Sequence, residues 1–335
     1  MAGNGVNGIL QERKKRIFGW RSFVFFIISI ALVAFLLSRV DMRAVVTTIA
    51  NANVPLVLLS CGVYFVSNYC KSYRYRVMLR DLNVGDFQMF AITSYQNFFN
   101  QILPARTGEL TLIYYLKKIG GADLSKGLHV LLVTRIYDFI IVAAFFVCSL
   151  VLYYGRHTSA GLLLVGVLVF ILSLVCLFNL KWVVIACNQV FIFAMKALKL
   201  ERKAFVVKII EKMDPVVREF SDYRTARHLP ALALTSVLVW GVLYVFSYIT
   251  IRAFGVNINF LLSVAGNTGQ VLANVLPVNS FGSFGTLEAG WSGGFVLVGM
   301  SPQDAITTGF GYHLINFVAA AAIAAVCWVV IRLRK

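Results

Sequence analysis

Long apolar runs, separated by short polar clusters, set the rhythm of the chain. Six of them, near 17–38, 55–73, 124–153, 160–181, 229–252 and 303–331, reach the roughly 18 to 20 residues that carry a helix across a membrane. Two more apolar stretches are interrupted. In 86–118 the break reads Asn100-Gln-Ile-Leu-Pro104-Ala-Arg106-Thr107-Gly108-Glu109. In 258–300 it reads Asn274-Val-Leu-Pro277-Val-Asn279-Ser280-Phe-Gly282-Ser-Phe-Gly285-Thr286-Leu-Glu288. Proline removes a backbone donor and glycine relaxes the backbone, so neither stretch continues as one helix. As helices, 86–103 would reach about 27 Å and 107–116 about 15 Å. The shorter limb falls short of a ~30 Å hydrocarbon core, which predicts re-entrant hairpins. The segment 41–52 is amphipathic and predicts a short surface helix. The expectation is an all-α integral membrane protein with about six full transmembrane helices plus two re-entrant broken hairpins.

The two breaks share a grammar: Leu-Pro, a polar or glycine-rich gap, then Thr-x-Glu. Aligning Pro104 with Pro277 and allowing a longer second loop brings Glu109 onto Glu288. One residue shorter beyond it, Arg135 meets His313 and Asp138 meets Asn316. The predicted repeat unit is span, hairpin, span, over about 54–153 and 229–331.

Composition supports the membrane assignment. The 335 residues are 59% hydrophobic and 13% charged, with mean hydropathy +0.80, against roughly 25% charged residues in a soluble domain. A net charge of +17 invites a nucleic-acid reading, but its placement argues against one. Lys and Arg gather at 13–21, 71–80, 117–126, 181–228 and 332–335, as the positive-inside rule expects of cytoplasmic segments. Such segments also suit anionic headgroups. Threading six spans through these clusters places both termini in the cytoplasm, with the protein in the cell membrane. It makes 1–16 a cytoplasmic tail, 17–335 a single polytopic domain and 182–228 a cytoplasmic or interfacial linker. The basic start followed by an apolar run lacks a small-residue cleavage site, which predicts a retained anchor. On this topology the first hairpin lies on the inner side and the second on the outer side. The repeat is then inverted, an architecture of transporters in which broken helices meet near the midplane.

The residues that could carry chemistry are few. Arg135 and Asp138 sit one turn apart, deep in an apolar span. They are expected to pair with each other or line a wet cavity, with a packing ion pair as the bland alternative. A guanidinium at 135 could hold a lipid phosphate bidentately. Arg106 lies just before a helix start, where free N–H groups favour anions. Glu109 and Glu288 could bind a headgroup amine or a proton, or could simply be helix-end carboxylates. His313, with Asn316 one turn on, could titrate or be an ordinary packed histidine. Asn100, Asn274, Asn279 and Ser280 are expected to satisfy backbone freed at the breaks. Pro104, Gly108, Pro277, Gly282 and Gly285 shape the hairpin turns. Lys71, Arg74 and Arg76 read as positive-inside anchors. The six cysteines all lie in apolar stretches and read as small hydrophobes. No metal-ligand spacing or cofactor motif is present. Gly290-Trp-Ser292-Gly293 matches a serine-protease tetrapeptide, but the spacing to His313 leaves no room for a span between them.

The segments Leu103-Pro-Ala-Arg-Thr-Gly-Glu109, Arg135-Ile-Tyr-Asp138 and Phe284-Gly-Thr-Leu-Glu288 resemble the lysylphosphatidylglycerol synthase transmembrane-region family of flippase-like proteins. The resemblance runs over about 20–331. It implies an anionic phospholipid, or a polyprenyl- or hopanoid-type substrate, that is moved or bound. It also implies Arg106, Glu109, Arg135, Asp138 and Glu288 as site residues. In multidomain relatives this region is joined to a soluble domain that transfers lysine to phosphatidylglycerol. The sequence ends four residues past the last expected span, so the expectation is a member without that domain and without its catalysis. The alternative is a non-catalytic subunit presenting lipid to a separate transferase, which would dock through 182–228.

Overall fold

The computed structural model describes residue 38 and residues 42–103, 107–155, 160–197, 229–275 and 283–333. Every element of regular structure among them is helical: α1 (Met42–Ala50), α2 (Val54–Met78), α3 (Asp86–Ile102), α4 (Glu109–Gly120), α5 (Leu124–Tyr154), α6 (Ala160–Phe178), α7 (Leu180–Ala197), α8 (Leu229–Ala253), α9 (Phe260–Val275), α10 (Thr286–Leu297) and α11 (Pro302–Leu333). The expected first span, the tail 1–16 and the linker from 198 to 228 lie outside the described residues, apart from Ser38.

Four described helices are long and apolar enough to cross a membrane: α2, α5, α8 from Pro230, and α11. The expected fourth span is α6, a 19-residue helix of about 28 Å. Local chemistry explains the boundaries. Asn53 caps α2 by accepting from the Leu56 N–H, and Pro55 occupies its first turn, where no donor is needed. The second span was expected to stop near Tyr73 but continues to Met78. The basic cluster does not end the helix, because Arg74 finds an internal carboxylate and Arg76 reaches the carbonyl of Val84 and, at 3.1 Å, Asp86.

Both breaks are present. α3 and α4 form the limbs of the first and α9 and α10 those of the second, at 17, 12, 16 and 12 residues, or about 25, 18, 24 and 18 Å. Gly121, left-handed at φ 64°, ends α4 and turns the chain into α5.

The helices fall into two sets of matching length. α2 and α8 have 25 residues each; α5 and α11 have 31 and 32. Their contacts match too. α2 and α8 pack on each other. α5 packs on α8 and α9, and α11 correspondingly packs on α2 and α3. Two apolar cores result. One gathers Met89, Ile92, Leu112, Leu116 and Val133 around the first hairpin. The other gathers Trp291, Phe295, Tyr312, Phe246 and Ile315 around the second. Glycine lets the second hairpin close tightly: a Cβ at Gly294 would fall on the Gly266 carbonyl, and one at Gly269 would lie 2.6 Å from the Gly290 oxygen.

Candidate functional site: a polar cavity between the hairpins

Polar side chains from both helix sets converge on a cavity of about 190 Å³. α2 contributes Tyr64 and Lys71; α3 contributes Asn97, Asn100 and Gln101; α5 contributes Arg135 and Asp138. From the second set come Trp240 of α8, Asn267 and Gln270 of α9, Ser283 before α10, and Tyr312 and Asn316 of α11.

A charge network runs across the wall. Arg74 Nη1 donates to Asp138 Oδ1 at 2.6 Å and to Ser236 Oγ at 3.2 Å. Trp240 Nε1 donates to the same carboxylate oxygen at 2.9 Å. The Arg74 side chain is 2% exposed and that of Asp138 12%. Arg135 sits 3.6 Å from the other Asp138 oxygen and bonds Glu109 through Nη2. Its side chain is 32% exposed. The expected Arg135–Asp138 pair is therefore the weaker of two. Arg74, taken from sequence as a surface anchor, is buried and is the aspartate's main partner. An ion in apolar surroundings is stable only when paired and hydrogen-bonded, which Asp138 achieves through two donors, Arg74 and Trp240.

Lys71, also read as an anchor, lies in the cavity wall instead. Its Nζ donates to Asn97 Oδ1 at 3.0 Å, Asn97 donates to Asn68 Oδ1 at 2.6 Å, and Asn68 donates to Ser94 at 2.8 Å. With Lys71, Arg74 and Arg135 against Asp138 and Glu109, this region carries one excess positive charge.

The second half brings its own acid and base together. Glu288 Oε2 accepts the Gly285 N–H at 2.7 Å, and its Oε1 lies 2.6 Å from His313 Nδ1. Both side chains are sealed, at 0% and 1% exposure. They lie one residue behind Leu287 and Tyr312, which line the cavity. The residues aligned from sequence thus make the same contact in each half: Glu109 with Arg135, and Glu288 with His313.

Other expectations fare differently. Glu109 opens α4 with Gly108 as N-cap, and Glu288 is the third residue of α10 with Gly285 as N-cap, so both stand in a first helical turn. Asn100 lines the cavity, and its Oδ1 has no hydrogen-bond partner among the described residues. Gly108 is required by close approach, since a Cβ would meet the Asn100 backbone nitrogen. Asn274 falls in the last turn of α9. Pro104, Arg106, Pro277, Asn279, Ser280 and Gly282 lie outside the described residues. Sequence reasoning missed Tyr64, Asn97, Gln101, Trp240, Asn267 and Gln270. The signal was there as spacing. Tyr64, Asn68 and Lys71 stand at i, i+4 and i+7, and Asn97, Asn100 and Gln101 at i, i+3 and i+4, which are polar stripes on otherwise apolar helices.

An all-helical bundle with crossing-length apolar helices around a charged polar cavity is a multi-pass membrane protein. Residues 22–324 match the family described as the lysylphosphatidylglycerol synthase TM region. The chain belongs to that family, among membrane proteins related to lipid modification or flipping. No curated protein and no solved structure matches it.

Proposed function

We propose that this protein carries an anionic phospholipid, or a lipid-linked molecule with a phosphate-bearing head, between the two leaflets of the cell membrane. The observation that carries the reading is the amphiphilic shape of the site. The polar cavity with its excess positive charge adjoins an apolar groove of about 130 Å³, and Phe139 lines both. The groove runs between Val142 and Phe146 of α5, Val165 and Val169 of α6, Ala265 of α9 and Leu297 of α10. A phosphate would sit against Arg135 and Lys71, with Arg106 at the hairpin break as a third cation. An acyl chain would lie in the groove. Desolvating a headgroup in a bilayer is costly unless charged partners replace water, and this wall supplies them.

The matched helix sets support an inverted repeat with two re-entrant hairpins. The positive-inside count orients the two units oppositely, with both termini cytoplasmic. Rocking of one unit against the other then gives alternating access to a fixed central site. Asp138 with Arg74 holds α2, α5 and α8 together, while Glu109 steers Arg135.

The test is leaflet-resolved movement of labelled phosphatidylglycerol in proteoliposomes. Loss of a charge-assisted contact of about 1.5–3 kcal/mol should slow Arg135→Gln by about tenfold or more; equal rates in wild type and variant would sink the assignment. The family's description names a synthase, which supports a second reading: a non-catalytic membrane subunit that presents lipid to a transferase docking through 182–228. Lipid binding without movement, and a transferase co-purifying through that linker, would favour it.

A further inference from the structure

The two halves differ in the partner they give the aligned glutamate. Where the first half places Arg135, a permanent cation partly open to the cavity, the second places His313 against Glu288 and seals both. We propose that Glu288 and His313 form a proton-binding site whose uptake and release of one proton is coupled to opening of the second hairpin. This rests on the transport reading and adds its energy source.

One extra proton, on Glu288 Oε1 or on the imidazole, leaves the pair neutral overall. Without it, Glu288 carries a net negative charge where neither side chain meets solvent. The Gly285 N–H and the start of α10 offset part of that. Burying an uncompensated ion is costly, and with both side chains sealed exchange of the proton waits for water to reach the pair. His313 Nε2 is buried and has no hydrogen-bond partner among the described residues.

The surroundings suit a moving part. The Phe284 ring covers His313 at 4.4 Å between centroids. Ser283, in the cavity wall, holds a left-handed φ of 55°, and Gly285 holds 84°. A non-glycine residue kept there is strained, and opening of the turn would release that strain. Other charged groups on the elements packed around the pair are Arg43 of α1, Lys71, Arg74 and Arg76 of α2, Asp86 of α3 and Arg252 of α8, with Asp304 and Arg332 on α11 itself. Arg74 is held by Asp138, Arg76 by Asp86, Arg252 by Asn257 and Asp304 by Ser301. α9, the other wall of the hairpin, carries no charged residue. Tyr64 and Tyr312, and the thiols of Cys61 and Cys327, are titratable but ordinarily neutral near pH 7.

The experiment uses proteoliposomes containing labelled phosphatidylglycerol, with the membrane potential clamped to zero and a gradient of about one pH unit imposed. One proton per lipid shifts the leaflet distribution by up to about tenfold per pH unit. Wild type is expected to show that shift, and Glu288→Gln and His313→Gln to lose it. Glu288→Gln retains an oxygen for the Gly285 N–H, so the hairpin cap survives. Lipid movement that ignores the gradient overturns the coupling and leaves the transport reading standing. A second measurement is independent of transport: infrared pH-difference spectra of the purified protein. A protonated-carboxyl band that disappears in Glu288→Gln supports the proton site even if no lipid moves. If wild type shows neither that band nor an imidazolium band that disappears in His313→Gln, the proposal is overturned.

Discussion

Replacing Asp138 with alanine strands a buried guanidinium. Among the described residues Arg74 would keep only Ser236 at 3.2 Å, with its side chain 2% exposed. Removing one partner of a buried pair costs about 3–5 kcal/mol, because the other charge stays behind unpaired. Trp240 Nε1 also loses its acceptor, which adds about 1 kcal/mol or more. Arg135 contributes little to the loss, since its closer partner is Glu109. The expected destabilisation of Asp138→Ala is therefore about 4–6 kcal/mol. Asp138→Asn keeps an acceptor for both donors and should lose less, about 1–3 kcal/mol. The double variant Arg74→Met, Asp138→Leu replaces the pair by apolar volume and should return to within about 2 kcal/mol of wild type. Reversible unfolding of the purified protein in mixed micelles, read as a double-mutant cycle, measures the coupling directly. A coupling below about 0.5 kcal/mol, with the single and double losses simply adding, would refute the view that Arg74 and Asp138 act as a unit.

Gly108→Ala should cost about 1–3 kcal/mol by overpacking, because its Cβ would meet the Asn100 backbone. Gly293→Ala meets nothing within 4 Å and should be neutral in the same unfolding assay. Lys71→Gln removes the cavity's excess charge. It should weaken retention of phosphatidylglycerol more than of a zwitterionic lipid, by about tenfold, as read by native mass spectrometry of co-purified lipid. Ala143→Trp fills the apolar groove beside Phe139 and should slow movement of long-chain lipid at least severalfold while a water-soluble phosphate headgroup still binds. Equal slowing of both would show that the groove holds no chain.

The membrane character, the hairpin breaks and the acid–base residues of each half were legible in the linear pattern. The reason is local: an apolar run of crossing length admits only a helix in lipid, and Pro with Gly must interrupt it. The alignment of Glu109 with Glu288 and of Arg135 with His313 also needed only sequence; in the structure Glu109 meets Arg135 and Glu288 meets His313. What could not be read was partnership. Arg74 and Asp138 are separated by 64 positions, and a basic residue in a positive cluster at the end of a span looks the same whether it faces headgroups or a buried carboxylate. Arg135 and Asp138 stand one turn apart, so local spacing suggested the nearer pair, and tertiary packing supplied a better-placed donor from another helix.

The sequence by itself determined that this is a helical membrane protein with two interrupted segments, because the cost of unpaired backbone in lipid leaves no other solution. Only the tertiary structure decided which polar residues meet. It moved Lys71 from the surface to the cavity wall and Arg74 to a buried carboxylate, left Arg135 partly open and sealed Glu288 with His313. Those outcomes depend on which faces of α2, α5, α8 and α11 pack together, and a helix records its own face in sequence but not the face it will meet.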